Sequence, residues 1–192
     1  MVETVKDRFE KDQDGEHVKG MWAWTTLRLL LGWSFFWAFI DKMFGLGFST
    51  CRAPEGSSID FLCSASTLKG GSPTYGFLAF GTEASHTGDL FNWMASSGPD
   101  TIGVADVLFM AALLLGGVAL LLGIGTRTAA IGGAILMAFM FLAGDVWPPN
   151  NPVNSSHVIE MVAFLGIATV GPGAFSLQKW VDAHLPLLGR IK

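Results

Sequence analysis

Six ionisable side chains flank long apolar runs in this 192-residue chain: Asp41, Lys42, Asp106, Asp145, His157 and Glu160. A charge placed within a bilayer costs at least about 2.5 to 3.5 kcal/mol on insertion scales, so such a group marks a candidate functional site. Four carboxylates facing one lysine and one histidine in a poorly solvated pocket cannot all be ionised. At least one is expected to hold its proton at neutral pH, the condition for proton transfer. His157 and Glu160 are three residues apart and so share a helix face. Asp106 reads equally well as a first-turn acid that complements its helix dipole. A metal bound by His157 and these acids is chemically conceivable, but one histidine without a second ligand motif leads us to expect none. His17, His86 and His184 fall outside the spans, so no bis-histidine haem is expected either.

The elements that must carry these groups follow from composition. Hydrophobic residues make up 51% of the chain and charged residues 15%, with a mean hydropathy of +0.46. A typical globular chain carries about 25% charged residues. The formal charge is −4, and no basic stripe exists to grip a phosphate backbone, which excludes nucleic acid as a partner. A helix crossing about 30 Å of hydrocarbon needs roughly 20 apolar residues, and four runs approach that: 21–42, 102–124, 129–147 and 157–175. The run Ala105 to Leu122 lacks the two-residue alternation of a membrane barrel strand. The expected fold is an all-α membrane protein, a four-transmembrane-helix bundle with a long extracytoplasmic loop.

Residues 1–20 lack the short apolar core and small-residue cleavage site of a secretory signal, so the first span is expected to be kept. Lys6, Arg8, Lys11 and Lys19, Arg127 in the short turn after the second span, and Lys179, Arg190 and Lys192 fall on one side. Only Arg52 and Lys69 fall on the other. The positive-inside rule then predicts that both termini face the cytoplasm, with cytoplasmic tails 1–20 and 176–192 and an extracytoplasmic cap 46–101; the expected location is a prokaryotic cell membrane. In that orientation all six ionisable groups lie at one level, the outer third of the bundle.

A cap of that length is expected to be ordered, with one or two short helices. Its stretch from Tyr75 to Met94 is amphipathic and aromatic, suited to lying along the membrane surface. Cys51 and Cys63 both fall in the cap, where an oxidising compartment lets them pair. Closing a loop of about a dozen residues is worth roughly 3 kcal/mol in the chain-entropy model. The other reading, a dithiol exchanging electrons with a quinone, generally uses a Cys-x-x-Cys spacing that is absent here.

Arg28 stands apart, about 10 Å into the first span at 1.5 Å per residue, with no acid at that depth in the other three. Two accounts are open: snorkelling to the cytoplasmic interface, or donation to a bound headgroup or partner subunit. Gly116-Gly117 and Gly132-Gly133 are expected to allow close helix packing.

Three motifs together resemble the DoxX/DoxD family of small four-helix membrane proteins: Leu27 to Gly32 with Asp41-Lys42 at the far end of the span, Leu120 to Arg127, and Gly171-Pro172-Gly173-Ala174-Phe175-Ser176-Leu177. Asn150-Asn151-Pro152 followed by His157 resembles the DoxD branch, the small subunit of thiosulfate:quinone oxidoreductase. The likeness runs over about residues 25 to 180. It implies a quinone-linked redox role beside a second subunit, with Arg28 and Lys42 as the family's basic residues of the first span and Arg127 as that of the turn. Phe39 stands where the family often has glycine, and the cap exceeds the usual connection.

On this reading a quinone stacks near Trp33, Phe36 and Trp37 and exchanges protons with Glu160 and Asp145 through His157. No haem, flavin or metal motif is seen, so electrons must come from a partner or directly from a substrate. Few basic residues face outward, which counts against thiosulfate turnover by this chain alone. The alternative is a non-catalytic accessory subunit that packs against and stabilises a larger membrane complex.

Overall fold

The computed structural model describes residues 5–52, 60–83, 85–146 and 155–184, and their side chains except those of residues 5–19, Asp145 and Lys179. Within these residues the chain is helical and no strand occurs. Helix α1 runs Val5–Phe44, a short α2 Gly88–Asn92, α3 Val104–Leu122, α4 Thr126–Met140, α5 Ser156–Val170 and α6 Gln178–His184. Three helical stretches are long and apolar enough to cross a membrane: Gly20–Phe44, Val104–Leu122 and Thr126–Gly144. The last of these continues α4 through a π-helical turn, Phe141–Asp145.

The fourth apolar helix, α5, has 15 residues and stops at Val170, five short of the run read from hydropathy. Gly171-Pro172-Gly173 is apolar enough to extend a hydropathy window, but proline removes a donor and glycine favours non-helical backbone. Helix α1 departs in the other direction. It extends back through most of the region read as a tail. Trp147, Asn150 to Pro152, Arg190 and Lys192, and the side chains of Lys6, Arg8, Lys11, His17, Lys19 and Lys179, lie outside the described residues.

Helix α1 packs along α3, and α4 packs along α5 and α3, with α5 also touching α1. Lipid tails are as apolar as leucine, so such contacts depend on close packing rather than on hydrophobic transfer. At the α1–α3 crossing, a Cβ on Gly117 would lie 2.7 Å from the Phe36 backbone N, and one on Gly32 would lie 2.9 Å from Leu120 Cβ. No larger residue fits at that crossing. Gly133 serves likewise beneath the Phe164 ring, whereas Gly132 faces open space. The core gathers Leu31, Phe35, Leu113, Leu120, Ala134, Met137, Phe164 and Ile167, with the Phe35 and Phe164 rings 5.0 Å apart.

Between α1 and α3, in the region read as the cap, the described residues form a 3-10 turn Thr67–Lys69, a π-helical turn Phe77–Gly81 and α2. Cys51 and Cys63 are joined by a disulfide. The bond lies against the end of α1: a Cβ on Gly45 would meet Cys51 Sγ, and the Leu62 amide donates to Phe44 O.

Candidate functional site

Asp41 is fully buried at the carboxyl end of α1, where the helix dipole disfavours negative charge. The chain compensates by folding back over it. The backbone amides of Phe48, Ser49 and Thr50 donate to its carboxylate at 3.0, 2.9 and 3.0 Å, and the Ser49 hydroxyl at 2.7 Å. Asp106 is equally buried but occupies the third position of α3, where its charge suits the dipole. It accepts from the Gly103 amide at 2.7 Å, the Ser72 hydroxyl at 2.8 Å, and the Thr74 amide and hydroxyl at 3.0 and 2.6 Å. An ionised carboxylate offers about four lone-pair sites. In both residues four donors from the chain itself reach the carboxylate, three at one oxygen and one at the other, and each residue is tied to its own loop.

Lys42 follows Asp41 and turns to a different surface. Its Nζ donates to Ser49 Oγ at 3.3 Å and lies 5.9 Å from the centre of the Phe109 ring. It borders a cavity of about 530 Å³. The cap contributes Pro73, Thr74, Phe77, Leu78, Phe91 and Met94; α3 contributes Ala105, Leu108, Phe109 and Ala112; the rest of the wall is α4 and its π-helical turn, from Gly132 to Ala143. Among the described residues, Lys42 is the one ionisable side chain in that lining. The Tyr75 to Met94 stretch, expected along the membrane surface, thus turns part of its apolar face inward as the roof. Phe91 meets the Phe139 ring edge-on at 6.3 Å. The Ser85 and Thr87 hydroxyls both donate to Leu142 O, a carbonyl in the π-helical turn.

The opposite end of the bundle holds Arg28. It is 1% exposed, and among the described residues its partners are backbone carbonyls rather than an acid. Its Nη1 donates to Pro172 O at 2.6 Å, and its Nη2 to Ala174 O at 3.3 Å and Phe175 O at 3.2 Å. The same segment is fastened from both sides. Thr25 Oγ1 accepts from the Ala174 amide at 3.0 Å, and Ser176 Oγ donates to Gly123 O at 2.7 Å. Gly123 has φ +68°, and a Cβ there would strike Arg28 Nη1, so glycine is required twice over.

The residues singled out in the sequence therefore fall into separate places. Arg28 and Lys42 stand fourteen residues apart on α1, about 21 Å along its axis. Trp33 and Trp37 stack on each other at 5.8 Å, with Trp33 half exposed, and neither lines the cavity. His157 and Glu160 are half-buried on α5, where Ser155 caps the helix by accepting from the His157 amide. The side chain of Asp145 lies outside the described residues. Phe39 packs against the core rather than the cavity. Among the described residues, no three His, Cys, Asp or Glu side chains are grouped to hold a metal ion. The hydroxyl donors Ser49, Ser72 and Thr74 leave no mark in the sequence, because serines and threonines in a polar loop carry no periodic signal, whereas Phe77 and Phe91 of the roof stand out as aromatics but not as cavity wall.

The sequence model of the DoxX family matches residues 23–145. The chain belongs to the DoxX family. No curated protein and no solved structure matches it. The DoxX match contains Arg28, Asp41, Lys42 and Asp106 and every residue lining the cavity, from Lys42 to Ala143. Helix α5 and the Gly171 to Leu177 segment lie beyond it, so the match is shorter than the stretch over which the resemblance was read. As a DoxX protein with helices of spanning length, the chain is an integral membrane protein with the bilayer as its first partner.

Proposed function

We propose that this DoxX protein is a four-helix subunit of a quinone-linked redox complex in the cell membrane, with both termini cytoplasmic and the cap outside. We further propose that the quinone head binds beside Lys42. The observation that carries this reading is the cavity: apolar walls built largely from two helices of spanning length, with one cationic donor at the edge. Such a site suits a lipophilic molecule whose polar part accepts hydrogen bonds. Lys42 would hold and orient a carbonyl, and the roof would exclude water. Proton exchange would fall to His157 and Glu160, with Asp145, since the oxygens of Asp41 and Asp106 already have partners. Arg28, buried against its own chain, would fasten the bundle. A second subunit, as in the DoxD branch, would supply or take the electrons.

The accessory reading is favoured by one observation of its own. The two most buried carboxylates are satisfied internally, as befits a structural network. Gentle detergent purification followed by mass spectrometry of proteins and lipids separates the two. Retained quinone, lost in Lys42→Met, supports the redox reading. Stoichiometric partners with no quinone and no redox activity support the accessory one.

A further inference from the structure

We propose that the cavity takes a single-tailed lipid, its hydrogen-bond-accepting head at Lys42 and its tail running down α4 and out between α3 and α4 into the membrane. This rests on the cavity being a ligand site, but not on the ligand being a quinone. A long-chain carboxylate presents the same chemistry, an oxygen acceptor on an apolar chain.

The head is set by which donors the lining leaves available. Thr74 is its other hydrogen-bonding side chain, and its hydroxyl and amide both go to Asp106. An ammonium has three donors, and among the described residues Lys42 directs one to Ser49. The lining therefore meets a head chiefly with Lys42 N–H donors, and the Thr74 oxygen, itself a donor to Asp106, is its side-chain acceptor. A head rich in N–H or O–H groups would outnumber that acceptor and bury some of them unpaired, which is costly. A cationic head would also meet the Lys42 ammonium at close range.

The tail follows from the shape. From Gly132 to Met140 the α4 wall rises through eight residue steps, about 12 Å, against about 15 Å for half a hydrocarbon core. Three of its lining residues, Leu108 of α3 and Ile135 and Phe139 of α4, are 63%, 51% and 53% exposed, so the wall between these helices is open to the surface that faces lipid. The cap roof, by contrast, closes the aqueous side. At the deep end Gly132 has no atom within 4 Å of a built Cβ, and the missing side chain leaves room for a chain to pass.

Native mass spectrometry of the full-length protein in detergent tests this with a decyl-substituted benzoquinone, its tail-free parent, dodecanoate, acetate and dodecylammonium. At least one of the two tailed acceptor probes should bind more than about tenfold tighter than its tail-free counterpart, since two buried methylenes suffice for that factor. Gly132→Leu, which fills open space, should erase the advantage. Ile135→Trp at the half-exposed rim should reduce it. Lys42→Met should weaken every acceptor-headed probe, and dodecylammonium should not bind. Binding of dodecanoate but not the quinone, with these sensitivities, upholds the inference while the quinone reading falls. Three results would overturn it: no tailed acceptor probe binds, the tail advantage survives both wall variants, or dodecylammonium binds as well as dodecanoate.

Discussion

Arg28 and Pro172 are 144 residues apart in sequence and are joined by a 2.6 Å hydrogen bond from guanidinium to backbone carbonyl. A buried charge is tolerated only when its donors are used, and the carbonyls of Pro172, Ala174 and Phe175 use two of this fork's three nitrogens. The segment after α5 is in turn held in shape by the arginine.

Replacing Arg28 should accordingly damage folding more than any local chemistry. Arg28→Met leaves three carbonyls short of a donor, and a loss of at least about 3 kcal/mol is expected at roughly 1 to 3 kcal/mol per unsatisfied group. Arg28→Lys should recover only part, because an ammonium cannot reproduce a planar fork. Thermal unfolding in detergent, followed by size-exclusion chromatography, measures both. A wild-type midpoint for Arg28→Met would show that the clasp is dispensable.

The helix crossing gives a paired test. Gly117→Leu drives a side chain into the Phe36 backbone and should cost about 1 to 3 kcal/mol or more as overpacking. Gly132→Leu, on the neighbouring helix, should leave stability near wild type because it meets nothing. Equal midpoints for the two variants would contradict the packing described for α1 and α3.

Reduction of the disulfide should loosen the cap and leave the spans inserted. Non-reducing peptide mapping should find Cys51 joined to Cys63, and the double serine variant should lose roughly 3 kcal/mol by loop-closure entropy. Limited proteolysis within residues 45–70 reads the loosening. Protection unchanged by reductant would mean that the loop is held by its hydrogen bonds alone.

The proton role proposed for α5 is tested by Glu160→Gln, which preserves shape and removes the titrating group. Quinone-linked turnover of the assembled complex should fall by about 10² or more, the usual contribution of a general acid or base. Normal turnover in this variant and in Asp145→Asn would leave the accessory reading standing. Reporter fusions check the orientation beneath the argument: those after Gly125 and Lys192 should report cytoplasm, those at Gly71 and Asn151 the exterior.

Hydropathy made the three spans of crossing length legible to within a few residues, because a 20-residue apolar run has few alternatives, but it carried no sign that α1 reaches back to Val5. It overran at Val170, where Gly171 and Pro172 end the helix without becoming polar. The partners of Arg28 were not legible, since backbone carbonyls leave no mark in a sequence. Placing the acids of four runs at one level was a matter of counting residues, but whether they meet depends on which loop each faces, and Asp41 and Asp106 face different ones. The cavity was hidden for a related reason. Apolar residues that surround a void look the same in sequence as apolar residues that fill one.

Asp106 closes the first turn of α3 through Gly103 and anchors the roof through Ser72 and Thr74. Fraying of that turn and lifting of the roof are therefore a single event. The residence time of anything held beneath the roof should follow the opening rate of one helix end. Asp106→Asn should shorten it while the apolar walls, and the equilibrium selectivity they impose, stay as they were.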